Sequence, residues 1–315
     1  MVEVGEGLPR EELFECEHCG CVFLGDEKMH IHKSSVQSPC HSWAKYIALW
    51  AERSGEPPST GEASPELLVI TWNTHLSEDG VVNGVPQIPR LSHAMIAFRV
   101  AELILDESRP MMLSLQEVRD PSEMANLMKK LHFTLVGASQ SFCMPQESWT
   151  CLFTRGIDMS QVKLSEYDDP TKHGGVCVAE LAFPRCTLVT AHFADGHTKP
   201  KVGVKWGVDV RKEQAAGIRR YLESRSDQTC PVICFGDFNF GKDESLGDVK
   251  GMGPWHEAMT GPTLLAVPPL EGNQRQRYDR VYVAGDNNIK INKAWTNQMW
   301  SVSDHAAVLA LVGLG

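Results

Sequence analysis

Apolar residues in this chain gather into short, β-branched runs, and many of those runs stop abruptly at a polar side chain. Leu67–Trp72 ends in Asn73, Met111–Leu115 ends in Gln116-Glu117, and Thr187–Thr190 leads into Ala191-His192. Thr150–Thr154, Val176–Leu181, Tyr278–Val283 and Ala306–Val312 have the same character. Short uncharged runs of this kind predict strands buried on both faces rather than helices. Apolar residues recur at helical spacing over Leu91–Glu107, Ser122–Leu131 and Val208–Arg225, which predicts three amphipathic helices. Strand, helix, strand from Leu67 to Leu115 is a crossover unit, and the alternation places the chain in the α/β (α+β) class.

The run that organises the rest is Cys230-Pro-Val-Ile-Cys-Phe-Gly-Asp-Phe-Asn239. Pro231–Phe235 predicts a central strand, and Gly236 frees the backbone for a turn or a close approach. If the chain stays extended, Asp237 and Asn239 point the same way. A carboxylate and an amide then sit together at the carboxyl end of a central strand, where open α/β sheets carry their chemistry.

At 315 residues and 42% hydrophobic content, the chain accommodates one large domain plus a small appendage. Its formal charge of -10 excludes a protein that coats nucleic acid by bulk electrostatics. A phosphate-bearing substrate would need a metal or a local basic patch. No apolar run reaches the roughly 18 residues of a membrane span, and Met1–Glu15 is acidic rather than signal-like, so the expectation is an intracellular protein, nuclear or cytoplasmic. Of ten cysteines, Cys151, Cys177, Cys186, Cys230 and Cys234 fall inside apolar runs, which reads as buried thiols in a reducing compartment.

Four further cysteines lie in the first forty residues. Cys16 and Cys19 flank a tight turn, twelve residues separate Cys19 from His32, and Cys40-His41 follows. Two thiolates, an imidazole and a fourth ligand suit tetrahedral zinc, with Cys40 or His41 closing the site and His30 a weaker choice. With Phe14, Phe23 and Met29 as its small core, this segment resembles a two-Cys-two-His zinc finger. The resemblance departs at the long gap before the fourth ligand. In that family's docking mode the base-reading positions would be Gly25, Lys28 and Ile31 beside Asp26 and Glu27, a set unsuited to base edges, so a protein partner is expected instead. A helix over Ser42–Arg53 and a polar linker over Ser54–Ser64 follow. The expected domains are 1–45, a finger-like module; 46–64, helix and linker; and 65–315, the main domain.

Trp72-Asn73, Gln116-Glu117, Gly236-Asp237-Phe-Asn239, Asp279-Arg280 and Ser303-Asp304-His305, in this order, resemble the endonuclease/exonuclease/phosphatase superfamily. That superfamily includes deoxyribonuclease I, abasic-site endonucleases, inositol polyphosphate 5-phosphatases, neutral sphingomyelinases and messenger-RNA deadenylases. The resemblance covers roughly residues 65–315. It implies a four-layer sandwich of two packed mixed β-sheets flanked by helices, with a Mg²⁺- or Mn²⁺-dependent site at one rim. The residue types suit phosphoester hydrolysis, which needs neutralised phosphoryl oxygens, an activated water and help for the leaving oxygen. Glu117 is the expected metal carboxylate, with Asn73 and Asp304 as direct or water-bridged ligands. Asp237 and Asn239 would orient water and phosphate. His305 would hydrogen-bond the phosphate or take a proton, with Asp279 fixing its tautomer. His192 would contact phosphate, its alternative being a satisfied core histidine.

The run from Gly236 to Glu244 resembles the longer motif of the tyrosyl-DNA phosphodiesterases that free 5′-phosphotyrosyl ends, with Asp243 and Glu244 matching its later acids. The chain departs from that branch at Thr190-Ala-His-Phe-Ala. Deadenylase, neutral sphingomyelinase and phosphoinositide phosphatase are the other substrate readings. Lys199, Lys201, Lys205, Arg211 and Lys212 form a net-basic stretch that could guide an extended substrate, and Trp206 could stack on a base. A catalytically dead scaffold acting through its finger is disfavoured, because every member of the motif set is present.

Overall fold

The computed structural model describes residues 66–74, 93–104, 107–141, 148–194, 207–241, 244–258, 278–285, 289–297 and 305–314, together with four short strands elsewhere. In chain order the strands are β1 (Leu13–Glu15), β2 (Val22–Leu24), β3 (Glu66–Asn73), β4 (Val81–Val82), β5 (Val85–Pro86), β6 (Met111–Val118), β7 (Thr134–Ser141) and β8 (Ser148–Arg155). They continue with β9 (Val162–Ser165), β10 (Val176–Leu181), β11 (Cys186–His192), β12 (Val232–Asp237), β13 (His256–Glu257), β14 (Asp279–Ala284), β15 (Ile289–Asn297) and β16 (Ala307–Leu314). Three α-helices are described: α1 (His93–Leu103), α2 (Pro121–Lys129) and α3 (Gly207–Ser224).

Two six-stranded mixed sheets make the body of the molecule, in the orders β13-β14-β12-β11-β10-β9 and β15-β16-β3-β6-β8-β7. Within them β11 runs parallel to β12 and β3 parallel to β6; the other pairings are antiparallel. The crossover through α1 joins β3 to β6, as the alternation of runs predicts. β1 pairs with β2 as a separate hairpin, with Phe14 opposite Phe23. The zinc ligands expected around it, Cys16, Cys19, His32 and Cys40 or His41, lie outside the described residues, as do Asp304, Lys201 and Trp206.

Side chains sort by period two into three cores, because successive residues of a strand face opposite sides of its sheet. On the outer face of one sheet, Leu68, Ile70, Trp72, Leu113 and Leu115 pack under Ile96 and Val100 of α1 and Met124 and Met128 of α2. On the outer face of the other, Val189, Val232 and Cys234 pack under Ala215, Ile218 and Leu222 of α3. Leu67, Val69, Met112, Leu188, Ile233, Phe235, Val281 and Val283 fill the gap between the sheets. The result is four layers, helix, sheet, sheet and helix. Burying one such side chain contributes about 1.5–3 kcal/mol, so both faces of every central strand add to stability.

The inter-sheet gap does not stay apolar along its length. Continuing each strand two residues at a time, Val69 gives way to Thr71 and Asn73, Met112 to Ser114 and Gln116, and Leu188 to Thr190 and His192, all buried. The hydroxyls of Ser114 and Thr190 hydrogen-bond across the gap, and Gln116 Nε2 donates to Thr71 Oγ1 at 3.1 Å. One end of the sandwich is therefore sealed with hydrocarbon and the other is lined with buried polar side chains.

Entry into α2 is fixed by Asp120, whose carboxylate accepts the Ser122 and Glu123 amides, with Pro121 at the first helical position. The Asp120 amide in turn donates to His93 Nε2 at 3.2 Å, and His93 Nδ1 lies 2.9 Å from Glu123 Oε2, which ties the start of α1 to the start of α2. Cys151, Cys177, Cys186, Cys230 and Cys234 are free thiols, and burial pushes Cys177 up to about 12. Among the described residues no helix is long and apolar enough to cross a membrane.

Candidate active site at the rim between the sheets

The polar end of the gap gathers the residues that the sequence singles out. In one sheet His192 stands opposite Asp237 across the β11–β12 pair, and Asp237 stands opposite Asp279 across the β12–β14 pair. All three continue the face occupied by Leu188, Phe235 and Val281, so they form one row looking into the gap. Gly236 makes this row possible. Its φ is 152° and a Cβ there would run into the Ala191 carbonyl oxygen of the neighbouring strand.

The facing sheet contributes Asn73, paired with Gln116 across β3 and β6, and Glu117. Glu117 sits where the β6–β8 ladder shifts register between Leu115 and Val118, at φ 57°. A left-handed non-glycine residue costs about 1 kcal/mol or more and persists where its surroundings enforce it. Here the bulge lifts Glu117 out of the ladder and leaves it 5% exposed.

One amide joins the two halves. Asn73 Nδ2 donates to Glu117 Oε1 at 2.8 Å and to Asp237 Oδ2 at 2.9 Å, one carboxylate from each sheet. His192 Nε2 lies 3.6 Å from Glu117 Oε1, while its Nδ1 is buried with no hydrogen-bond partner. His305, just ahead of β16, places Nδ1 2.7 Å from Asp279 Oδ2 and 3.9 Å from Asp237 Oδ2. Its carbonyl accepts the Trp72 indole N–H at 3.2 Å, which anchors it to β3. Burial pushes the Asp237 carboxyl above the usual carboxylate range, and Asp279 beside it adds to the shift.

The expectation that Asp237 and Asn239 point the same way from an extended chain is corrected. Asp237 Oδ1 accepts the Asn239 amide at 2.9 Å, which draws the chain into a turn, and Asn239 takes φ 50°. Its Nδ2 then donates to Phe193 O at 3.0 Å. Arg211 is corrected too. It is 4% exposed and engaged by Glu244, so it belongs to the interior and not to a substrate-guiding stretch.

Asp237, Asp279 and His305 carry ligand-type atoms within 4.8 Å of one another. The 2.7 Å contact from Nδ1 to Asp279 is a hydrogen bond, so that nitrogen carries a proton and is unsuited to hold a cation. The donor set that fits a hard dication is the oxygen-rich one, buried Glu117 with the Asn73 amide, and Asp237 lies beside it as a second buried carboxylate. Buried carboxylates converging with so little compensating charge, and a buried imidazole nitrogen without a partner, suit a cation and an anionic ligand.

Sequence reasoning passed over Thr71, Ser114 and Thr190, which brace the site from behind. Their signal was present: at every second position the strands run apolar, then Ser or Thr, then Asn, Gln or His.

No protein-family model matches the chain, and no curated protein matches it. Solved structures do. An endonuclease/exonuclease/phosphatase from Beutenbergia cavernae is 17% identical, with 79% of this chain and 72% of that chain covered and a TM-score of 0.52. A family protein from Bacteroides thetaiotaomicron reaches a TM-score of 0.53 at 12% identity, covering 79% of this chain and 98% of its own. D. rerio TDP2 complexed with single-strand DNA product has 16% identity, 79% and 99% coverage and a TM-score of 0.51. The chain has the endonuclease/exonuclease/phosphatase fold. Within that fold the row His192–Asp237–Asp279 and the facing pair Asn73–Glu117 occupy the rim where the two sheets meet.

Proposed function

We propose that the protein is a divalent-metal-dependent phosphodiesterase acting on nucleic acid. The observation that carries this reading is the Asn73 amide bound to Glu117 and Asp237 at once, beside the His305–Asp279 pair. Glu117, with Asn73 and Asp304, would hold Mg²⁺ or Mn²⁺, and when bound the metal supplies charge neutralisation at the phosphoryl oxygens. The chain's own groups do the rest. Asp237, buried and fixed by the Asn73 amide, accepts a proton from the attacking water while Asn239 orients water and phosphate. A bond forms from the water oxygen to phosphorus and the bond from phosphorus to the leaving oxygen breaks. His305, held by Asp279 through Nδ1, presents Nε2 to the phosphate or the departing oxygen, and His192 contacts a phosphoryl oxygen.

For the substrate we infer a 5′-phosphotyrosyl DNA end. Support comes from the run Gly236–Glu244 and from the shared fold with a TDP2 that was crystallised with single-strand DNA product. The amino-terminal segment 1–45 would be a zinc-bound module for a protein partner, joined by residues 46–64 to the catalytic domain 65–315.

The test uses metal-stripped full-length protein, bis(4-nitrophenyl) phosphate and a single-stranded DNA carrying a 5′-phosphotyrosyl end. Turnover of both on adding Mg²⁺ is expected. Turnover of the aryl diester with none of the DNA would sink the substrate assignment, and no turnover of either would sink the enzyme.

A further inference from the structure

The two chain segments that leave the rim, Phe193-Ala194 after β11 and Phe238–Gly241 after β12, are bound to a single point on α3. Arg211 Nε and Nη2 donate to Glu244 Oε1 and Oε2 at 3.0 and 2.8 Å, and Nη1 donates to Ala194 O at 3.0 Å. Glu244 Oε2 also accepts the Gly241 amide at 2.8 Å, and the Glu244 amide donates to Gly241 O at 3.2 Å. One turn further along α3, Gln214 Oε1 accepts the Ala194 amide at 3.0 Å. The segments are also joined to each other, since Phe193 N donates to Asp237 O at 2.8 Å and Asn239 Nδ2 donates to Phe193 O. Beneath them Phe193 meets Phe238 and Phe240 edge-on, with centroids 5.2 and 5.6 Å apart.

From this geometry we propose that Arg211 and Glu244 are positioning residues for the reaction, holding Asn239 and the exit from His192 in working register. The inference rests on the reading of Asn239 as a phosphate- and water-orienting group. Asparagine tolerates φ 50°, and Asp237 Oδ1 closes the turn locally, but the bond from Asn239 Nδ2 to Phe193 O forms only while the two exits keep their register. A bidentate guanidinium–carboxylate pair has the directional rigidity for that, which a lysine or a lone hydrogen bond lacks. The pair touches both exits and neither reacting group. Loosening it therefore lets the His192 exit and the Asn239 turn move relative to one another, while β11 and β12 keep their ladder.

The experiment compares full-length wild type with Glu244→Gln, Arg211→Lys and the double variant Arg211→Met/Glu244→Met, which removes both charges together and leaves neither stranded. Amides of Phe238–Gly241 should exchange with deuterium about tenfold faster or more in every variant, with Val232–Phe235 unchanged. On the aryl phosphodiester, kcat should fall by about tenfold or more with KM nearly constant. The double variant should regain melting temperature without regaining kcat. Recovery of kcat together with stability would reduce the pair to a fold-stabilising contact and overturn the proposal, as would unchanged exchange in the turn. If wild type hydrolyses no phosphoester, the reading of the site fails and takes the catalytic half of this inference with it; the exchange data then decide the mechanical half alone.

Discussion

Asp237 and Asp279 stand opposite each other on adjacent antiparallel strands, both side chains turned into the gap between the sheets. His305 Nδ1 is bonded to the second and only 3.9 Å from the first, so one imidazole nitrogen faces two buried carboxylates. Asp279→Asn removes the negative charge beside the imidazole and lets an NH2 donate to Nδ1, which favours the tautomer with its proton on Nε2. We expect kcat to fall about 10²- to 10⁴-fold with KM little changed. His305→Ala should match it, and the double variant should be no worse than the more damaged single one. Steady-state kinetics on an aryl phosphodiester decides this.

A cation at Glu117 would stabilise only the folded state. In metal-stripped protein, saturating Mg²⁺ at about 100 times its Kd should add about 2.7 kcal/mol. Glu117→Gln should remove most of that gain. Calorimetry with and without Mg²⁺ reads it directly, and an identical melting curve in the two conditions would remove the metal from the site.

His93 gives a stability effect with a definite sign. Burial lowers its pKa, with Glu123 opposing, and the Asp120 N–H already points at Nε2. The unfolded chain therefore takes up a proton more readily than the folded one. The stability this provides is present above the ordinary imidazole value of about 6.5 and is lost as pH falls below it. Urea unfolding between about pH 7.5 and pH 5.5 should show a pH slope that His93→Gln reduces.

Gly236→Ala should be among the most damaging substitutions in the chain. Its Cβ would collide with a backbone oxygen, which has no rotamer to escape into. A loss of about 4 kcal/mol or more is expected, on the scale of the severest single-residue effects. Near-normal stability of this variant would mean that β11 and β12 do not pack as described.

Residues 65–315 should fold and hydrolyse a small substrate without the amino-terminal segment, because the polar stretch Ser54–Ser64 offers nothing to bury. Removal of residues 1–60 followed by a melting curve and an aryl phosphodiester assay tests this, and loss of activity would place that segment at the rim.

What the sequence revealed, and what it hid, follows from position in the sheets. β3, β6, β8, β10, β11, β12, β14 and β16 are interior strands, covered on both faces, and each reads as an apolar run. β7, β9, β13 and β15 are the edges, and none was legible. β15, Ile-Lys-Ile-Asn-Lys-Ala-Trp-Thr-Asn, is half exposed and carries two lysines, a composition that suits an edge and hides a strand. Asn73, Glu117, His192 and Asp237 were legible because they interrupt apolar runs. The pairing of Arg211 with Glu244 was not, since an ion pair between a helix and a loop leaves no periodic trace; the sequence offered Arg211 only as part of a basic stretch and Glu244 only as a motif acid. The left-handed backbone at Glu117 was equally silent, for glutamate is not a residue that signals it.

Asn73 belongs to one sheet and Asp237 to the other, yet 2.9 Å separates their bonded atoms. That contact acts as a gauge of how the two sheets sit, and no strand hydrogen bond has to break for it to open. A slide of a single ångström along the seam would dismantle the constellation, because hydrogen bonds of this length tolerate little displacement. Under gentle heating or dilute denaturant, turnover should therefore fade while circular dichroism still reports every strand intact: the molecule would fall silent before it falls apart.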